Sequence, residues 1–495
     1  MTMPDEMSLP HAASTEALRW PFDNSYGRLP ERFYARLAPT AVSAPRLIRL
    51  NRPLALQLGL DPEVLASAEG VEILAGNRIA EGSEPIALAY AGHQFGNFVP
   101  QLGDGRAVLL GEVVDITGTR RDIQLKGSGP TPFSRRGDGR AALGPVLREY
   151  LISEAMYALS VPTTRSLAAV TTGDHVYRET ALPGAVLARV ASSHIRVGTF
   201  QFFAARGDVE ALRLLADHAI ARHYPEASGY RDLYEKVIAR QAALVARWLL
   251  VGFIHGVMNT DNVSIAGETI DYGPCAFMDA YNPETVFSSI DHQGRYAYGR
   301  QAQIGGWNMA RLGEALMPLF SSDPDEALNQ ANESLQGYQP HFGQELVTGL
   351  RRKLGLFTGQ EGDGELAQDF LKLLNDHGTD FTLAFRRLGD GTARGLFEEP
   401  AAFDAWAGRW RARTKAEPQD EATRRAAMHA VNPLYIPRNH RVEAALSAAI
   451  EDGDYGPFEE LQAVLARPFE ERPEFAAYAD PPGAEQRTYR TFCGT

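Results

Sequence analysis

The chain has 495 residues, 44% hydrophobic and 22% charged, enough to bury a full core without disulfide or metal staples. Its net charge of −13 excludes a general nucleic-acid binder, which would carry a basic face, but leaves room for a local phosphate pocket. There is no CxxC or zinc spacing, and no apolar run near the roughly 18 residues that span a bilayer, so a cytoplasmic protein without membrane contact is expected.

In chain order, residues up to about 84 mix short helical and turn signals, and 42–60 reads as helix. Residues 83–111 are too rich in Gly and aromatics for a helix and too ordered in character for a linker. Strands are expected at Ala107–Ile116 and Asp122–Lys126, joined by a hairpin turn at Thr117–Thr119. A loop rich in Gly, Ser and Arg follows. Pro145 then opens a helix with apolar positions Val146, Leu147, Tyr150, Leu151 and Met156. Further strands are read at Ser166–Thr172 and Ala185–Val190. Leu233, Val237, Leu244 and Trp248 keep helical spacing, and from about 300 the chain reads as helices broken by Gly and Pro at 322–324, 355–364 and 389–391. The fold class expected is α+β, with a small β-rich lobe joined to a larger helical one.

Walker A, HExxH and GxSxG motifs are all missing. The chemistry-bearing residues instead form an ordered series: Lys126 ending a strand, Glu149 on the next helix, His255 to Asn262 after a long helix, then Asp271-Tyr272-Gly273. This is the order of a protein-kinase-like site, with Lys126 neutralising phosphates, Glu149 holding its ammonium, and Asn262 and Asp271 as oxygen ligands for a hard divalent cation. Lys occurs only five times in the chain, which adds weight to Lys126. The series departs from a kinase at Val257, where the proton-accepting Asp of H-x-D-x-x-x-x-N belongs. The loop does contain a carboxylate, Asp261. Either the chain is a dead kinase, or its base has moved and its reaction has changed. The G-x-G-x-x-G loop is replaced by two GDGR segments, Gly103–Arg106 and Gly137–Arg140, that flank the strand pair carrying Lys126. Arg forks beside Gly amides make a triphosphate cradle.

The motifs AGHQFG (91–96), QLGDGRA (101–107), LKGSGPTPFSRRGDGRA (125–141), HGVMNTDN (255–262), IDYGPCAFMD (270–279) and NPLYIPRNH (432–440) resemble the selenoprotein O or YdiU family of protein adenylyltransferases, from about Leu29 onward. The resemblance implies a protein-kinase-like bilobal fold and ATP bound in reverse, with its α-phosphate towards the acceptor. AMP would pass to Ser, Thr or Tyr hydroxyls of proteins, with release of pyrophosphate. Some members are described as using UTP with manganese. By resemblance, Gly103, Gly105 and Arg106 match the nucleotide loop, Lys126 the phosphate-binding Lys with Glu149 its partner, and Asp138 and Gly139 further nucleotide contacts. Arg189 and Arg196 match phosphate-binding arginines, Asp261 the proton acceptor, and Asn262 and Asp271 the Mg²⁺ or Mn²⁺ ligands.

The corresponding domain division is an N-terminal extension over 1–84, an N-lobe over 85–190 and a helical C-lobe with its C-terminal extension over 191–495. A monomer that also modifies itself is expected, as is a fold indifferent to Asp271→Ala, because a solvent-lined ligand carries little of the core. Eukaryotic relatives place selenocysteine near the C-terminus, where this chain has Cys493. A Cys275–Cys493 bridge is therefore expected as a redox switch, closing a long loop worth roughly 5 kcal/mol at most.

Overall fold

A computed structural model describes residues 20–483 and 490–491. Its strands are β1 (Tyr34–Arg36), β2 (Arg46–Leu50), β3 (Ile86–Leu88), β4 (Gly92–Gln94), β5 (Asn97–Val99), β6 (Ala107–Val114), β7 (Arg120–Lys126), β8 (Ala141–Ala142), β9 (Arg165–Tyr177), β10 (Ala181–Ala191), β11 (Phe253–Ile254) and β12 (Ala276–Phe277). The main sheet is antiparallel and runs β1-β3-β6-β7-β10-β9-β2, with β8 also on β10. Both of its edges come from residues before 85, so the N-terminal segment is woven into the sheet.

The helices packed on this sheet include the short α1 (Arg52–Gln57), α2 (Pro62–Ala66) and α3 (Ala68–Ala75), and the longer α4 (Leu143–Ala158). After β10 the chain is helical: α5 (Val197–Ala204), α6 (Val209–His223), α7 (Tyr230–Leu250), α8 (Gln301–Phe320), α9 (Pro324–Leu335), α10 (Tyr338–Lys353), α11 (Asp363–His377), α12 (Phe381–Asp390), α13 (Ala401–Thr414), α14 (Glu421–Val431), α15 (Asn439–Ser447) and α16 (Gly456–Leu465). The fold is thus mixed, with an antiparallel sheet in its N-terminal part and helices in its C-terminal part. Among the described residues, no helix is long and apolar enough to cross a membrane.

Side-chain alternation decides which residues reach the site. On β10, Val186, Ala188 and Val190 pack under α1–α3 with Ile123 and Leu125 of β7. Ala185 and Leu187 face the other way, against α4. Arg189 continues that second face, as Gln124 and Lys126 do on β7. One face of the sheet is therefore sealed by hydrophobic burial, while the other presents cations at its open end.

The β6–β7 turn closes as expected, with Asp115 Oδ1 accepting from the backbone N–H groups of Thr117 and Thr119 and with Gly118 at φ +81°. The helix expected over 42–60 is instead strand β2 followed by α1. Arg46–Leu50 pairs with β9, and Asn51 caps the helix through Leu54 N–H. The α4 helix starts at Leu143, before Pro145, and β9 and β10 extend well past their expected ends. Pairing with each other carries them through Gly173 and Asp174, which by local preference read as turn.

Candidate active site

A cleft of about 800 Å³ is lined by Gly103, Gly105, Arg106, Lys126, Asp138, Gly139, Arg189, Arg196, Asp261, Asn262 and Asp271, all named above from the residues or from the family resemblance, together with aromatics. Glu149 is buried behind them, on α4. Lys126 Nζ donates to Glu149 Oε2 at 2.6 Å and to Asp271 Oδ1 at 3.0 Å. Arg189 donates to Asp271 Oδ1 at 2.6 Å and to Glu149 Oε1 at 3.2 Å, with its Nε held by Gln124 Oε1 at 2.7 Å. Arg196, the residue before α5, reaches Asp271 Oδ2 and the backbone carbonyl of Asp261 through one nitrogen. Its guanidinium lies 4.8 Å from the Tyr90 ring centroid. Three cations thus face two carboxylates, leaving an excess of positive charge in the cleft wall.

Asp271 is the hub of this network. Burial pushes its carboxyl up, but the charges of Arg196, Arg189 and Lys126 prevail and hold it well below the usual range. Its φ of +61° lies in the left-handed region, which few residues other than Gly, Asn and Asp adopt. Asp271→Ala is expected from the sequence to leave the fold intact, but the carboxylate pairs with three largely buried cations, and its removal takes one partner from each.

The β11–β12 pair frames the loop between them. His255 Nε2 meets Ile270 O at 2.9 Å, while His255 Nδ1 accepts from Val257 N–H at 3.4 Å. Burial lowers its pKa, so His255 is a neutral staple between the start of the loop and the residue before Asp271. Asn262 Nδ2 donates to Val257 O at 3.0 Å, which leaves the amide oxygen as its acceptor. Asp261 sits one residue earlier, and burial raises its carboxyl to about 6 against the opposing pull of Arg196 and Gln94.

The two GDGR loops pack on each other's surroundings. Gly103 has φ +79°, and a Cβ there would lie 2.4 Å from the Phe133 ring. Asp104, in the cleft wall, is buried and accepts from Leu88 N–H at 3.1 Å and Gln124 Nε2 at 2.9 Å, which anchors the loop to β3 and β7. A Cβ at Gly139 would fall 2.1 Å from Gly129. Asp138 is gripped by Arg178 at 2.8 Å. Arg140, expected to cradle phosphate, lines the cleft and here donates to the carbonyls of Thr40 and Ala41.

The donor chemistry suits a hard cation. Among the described residues no cluster of three or more His, Cys, Asp or Glu could hold a metal. Mg²⁺, however, is commonly held by one or two carboxylate or amide oxygens plus substrate phosphates and water, which the Asn262 and Asp271 oxygens fit.

Sequence reasoning alone did not single out Arg189 or Arg196 among so many arginines. A usable signal existed for Arg189, a lone charge inside the apolar strand run GAVLARVA. Gln124 and Gln94 were also missed. Cys493 lies outside the described residues. Cys275 is buried, burial pushes its thiol up to about 11, and the nearby Thr491 donates to Pro274 O at 2.6 Å.

A family model described as protein adenylyltransferase SelO matches residues 16–466. The chain is 66% identical over 490 residues to the protein nucleotidyltransferase YdiU of Rhodopseudomonas palustris strain BisB18, covering 97% of this chain and 100% of that protein. It is 65% identical over 489 residues to the YdiU of Bradyrhizobium diazoefficiens, covering 97% and 100%. It is likewise 65% identical over 494 residues to a YdiU of Methylorubrum extorquens, covering 96% and 99%.

Proposed function

This chain belongs to the SelO family of protein adenylyltransferases, and we propose that its cleft binds ATP with the α-phosphate nearest Asp261 and transfers AMP to protein Ser, Thr or Tyr hydroxyls, its own included. The observation that carries this reading is the double grip of Arg196, which joins the Asp261 backbone to the Asp271 carboxylate. It sets a buried carboxylate of raised pKa next to a cation cluster suited to phosphates.

Asp261 takes the proton from the acceptor hydroxyl. The freed oxygen attacks the α-phosphorus as the bond to the bridging oxygen of the β-phosphate breaks, and pyrophosphate leaves. Lys126, Arg189 and Arg196 bind the phosphates and neutralise the charge that develops on the leaving group. The Gly103–Arg106 loop and Gly139 let backbone approach the nucleotide closely, and Asp138 contributes from the same wall. Asn262 and Asp271 would hold Mg²⁺ or Mn²⁺, which supplies further positive charge to the phosphates when bound. Glu149 keeps Lys126 in place. In this reading the sheet with α4 is the smaller lobe of a kinase-like bilobal fold, and the helices from α5 onward form the larger one.

Asp261→Ala should lower turnover roughly 10²- to 10⁴-fold while leaving ATP affinity nearly unchanged. Nucleotide titration and pyrophosphate release measured on the same samples separate the two effects. Collapsed ATP affinity with normal turnover of the bound complex would make Asp261 a binding group instead.

A further inference from the structure

The β4–β5 hairpin lies against the catalytic loop, and three successive residues of one meet three successive residues of the other. His93 N–H donates to Thr260 Oγ1 at 2.7 Å, Gln94 Nε2 to Asp261 Oδ2 at 3.3 Å, and Phe95 N–H to Asn259 Oδ1 at 2.9 Å. The links of His93 and Phe95, on either side of Gln94, are braced from behind. Thr260 Oγ1 donates to Gln201 Oε1 at 2.6 Å, Gln201 Nε2 meets His93 Nδ1 at 2.9 Å, and Tyr296 OH donates to Asn259 Oδ1 at 2.7 Å.

Gly92 and Gln94 are two apart on a strand and so share a face. That face is turned to Asp261. A Cβ at Gly92 would lie 2.4 Å from Asp261 Oδ1 and 2.9 Å from Asp261 Cβ and Cγ. Oδ1 is packed there, buried and without a hydrogen-bond partner. The oxygen left to the cleft is Oδ2, the one that accepts from Gln94. The hairpin tip has φ +51° at Phe95 and +87° at Gly96, the backbone of a type I′ turn, and an aromatic residue rarely adopts such a φ. This bend returns the chain onto Asn259.

We propose that Gln94 is a positioning residue for AMP transfer: its amide fixes the rotation of the Asp261 carboxylate so that Oδ2 meets the acceptor hydroxyl, with the β4–β5 hairpin as the template of the catalytic loop. The proposal rests on Asp261 being the proton acceptor. Glycine at 92 is then required for close approach, and the strained tip for register.

Gln94→Met keeps the side-chain length and Gln94→Leu its branching, and both remove the donor without adding charge beside Asp261. Both should lower kcat for AMP transfer by about tenfold, the scale of one hydrogen bond to a charged group, with ATP affinity, acceptor KM and melting temperature unchanged. In an Asp261→Ala background, adding Gln94→Met should change the residual kcat by less than about twofold, because the two residues act as a unit. Parental kcat in both variants beside a disabled Asp261→Ala overturns the role of Gln94 alone. So does a loss in the double variant equal to the product of the single losses. Parental kcat in Asp261→Ala overturns the proton-acceptor reading and this proposal with it. Because two variants are used, one that fails to fold leaves the test intact.

Discussion

Asp261 must be ionised to accept a proton, and burial sets its carboxyl at about 6. Turnover at saturating ATP should therefore fall as pH drops below about 6 and level off above it, since the ionised form is the working base. A profile flat from about pH 5 to 8 would contradict this assignment. A second residue invites a stability measurement. Lys353, at the end of α10, is buried, and burial lowers its ammonium from 10.5 to about 7. Its ammonium nitrogen lies 4.4 Å from the Phe385 ring centroid and 5.4 Å from that of Phe381. Between about 7 and 10.5 the unfolded chain binds more protons at this site than the folded one, so its contribution to stability grows with pH across that window. Lys353→Met should raise the melting temperature most at or below about pH 7, with the gain shrinking towards pH 10. An equal gain at both ends of that range would contradict the titration.

The α4 helix carries Glu149 inward, and its neighbour Arg148 ties the helix to the C-terminal part of the chain. Arg148 donates to Cys275 O at 2.6 Å, Asn439 Oδ1 at 2.9 Å and Glu443 Oε1 at 2.7 Å. Tyr150 meets Phe458 edge-on at 5.9 Å, so α15 and α16 form a buttress for the helix that holds Lys126. Arg148→Ala should lower the melting temperature, and it should weaken ATP binding by about tenfold through loss of the Lys126–Glu149 pairing. Calorimetric ATP affinity equal to the parent would show that α4 needs no such buttress. The existence of α4 was legible in its apolar spacing, because its own residues create the buried stripe. Arg148 was not, since its partners Cys275 and Asn439 lie 127 and 291 residues away. The same distinction explains the site. Lys126, Asn262 and Asp271 stood out because local motif spacing carries them. Arg189 is selected by strand alternation, and Gln94 by a hairpin pressed against a loop 167 residues later. Strand β2 was misread as helix because its pairing partner β9, rather than its own sequence, decides its conformation.

At the scale of the whole molecule, one antiparallel sheet gathers cations at its open end and a helical body brings Asp261, Asn262 and Asp271 to meet them. We take the stretches 1–84, 85–190 and 191–495 as the working division of the chain, with the first supplying both sheet edges. Adenylyl transfer, the activity of the SelO family, makes the α-phosphate the reacting group, and the reading proposed above sets it nearest Asp261. Incubation with ATP labelled separately at the α- and γ-phosphates, in the presence of Mg²⁺ or Mn²⁺, tests this most directly. The α-label should remain covalently on protein and the γ-label should leave as pyrophosphate, in the parent and, at whatever residual rate, in Val257→Asp. Retention of the γ-label on protein, with ADP as the product, would contradict the reversed nucleotide and the role given to Asp261.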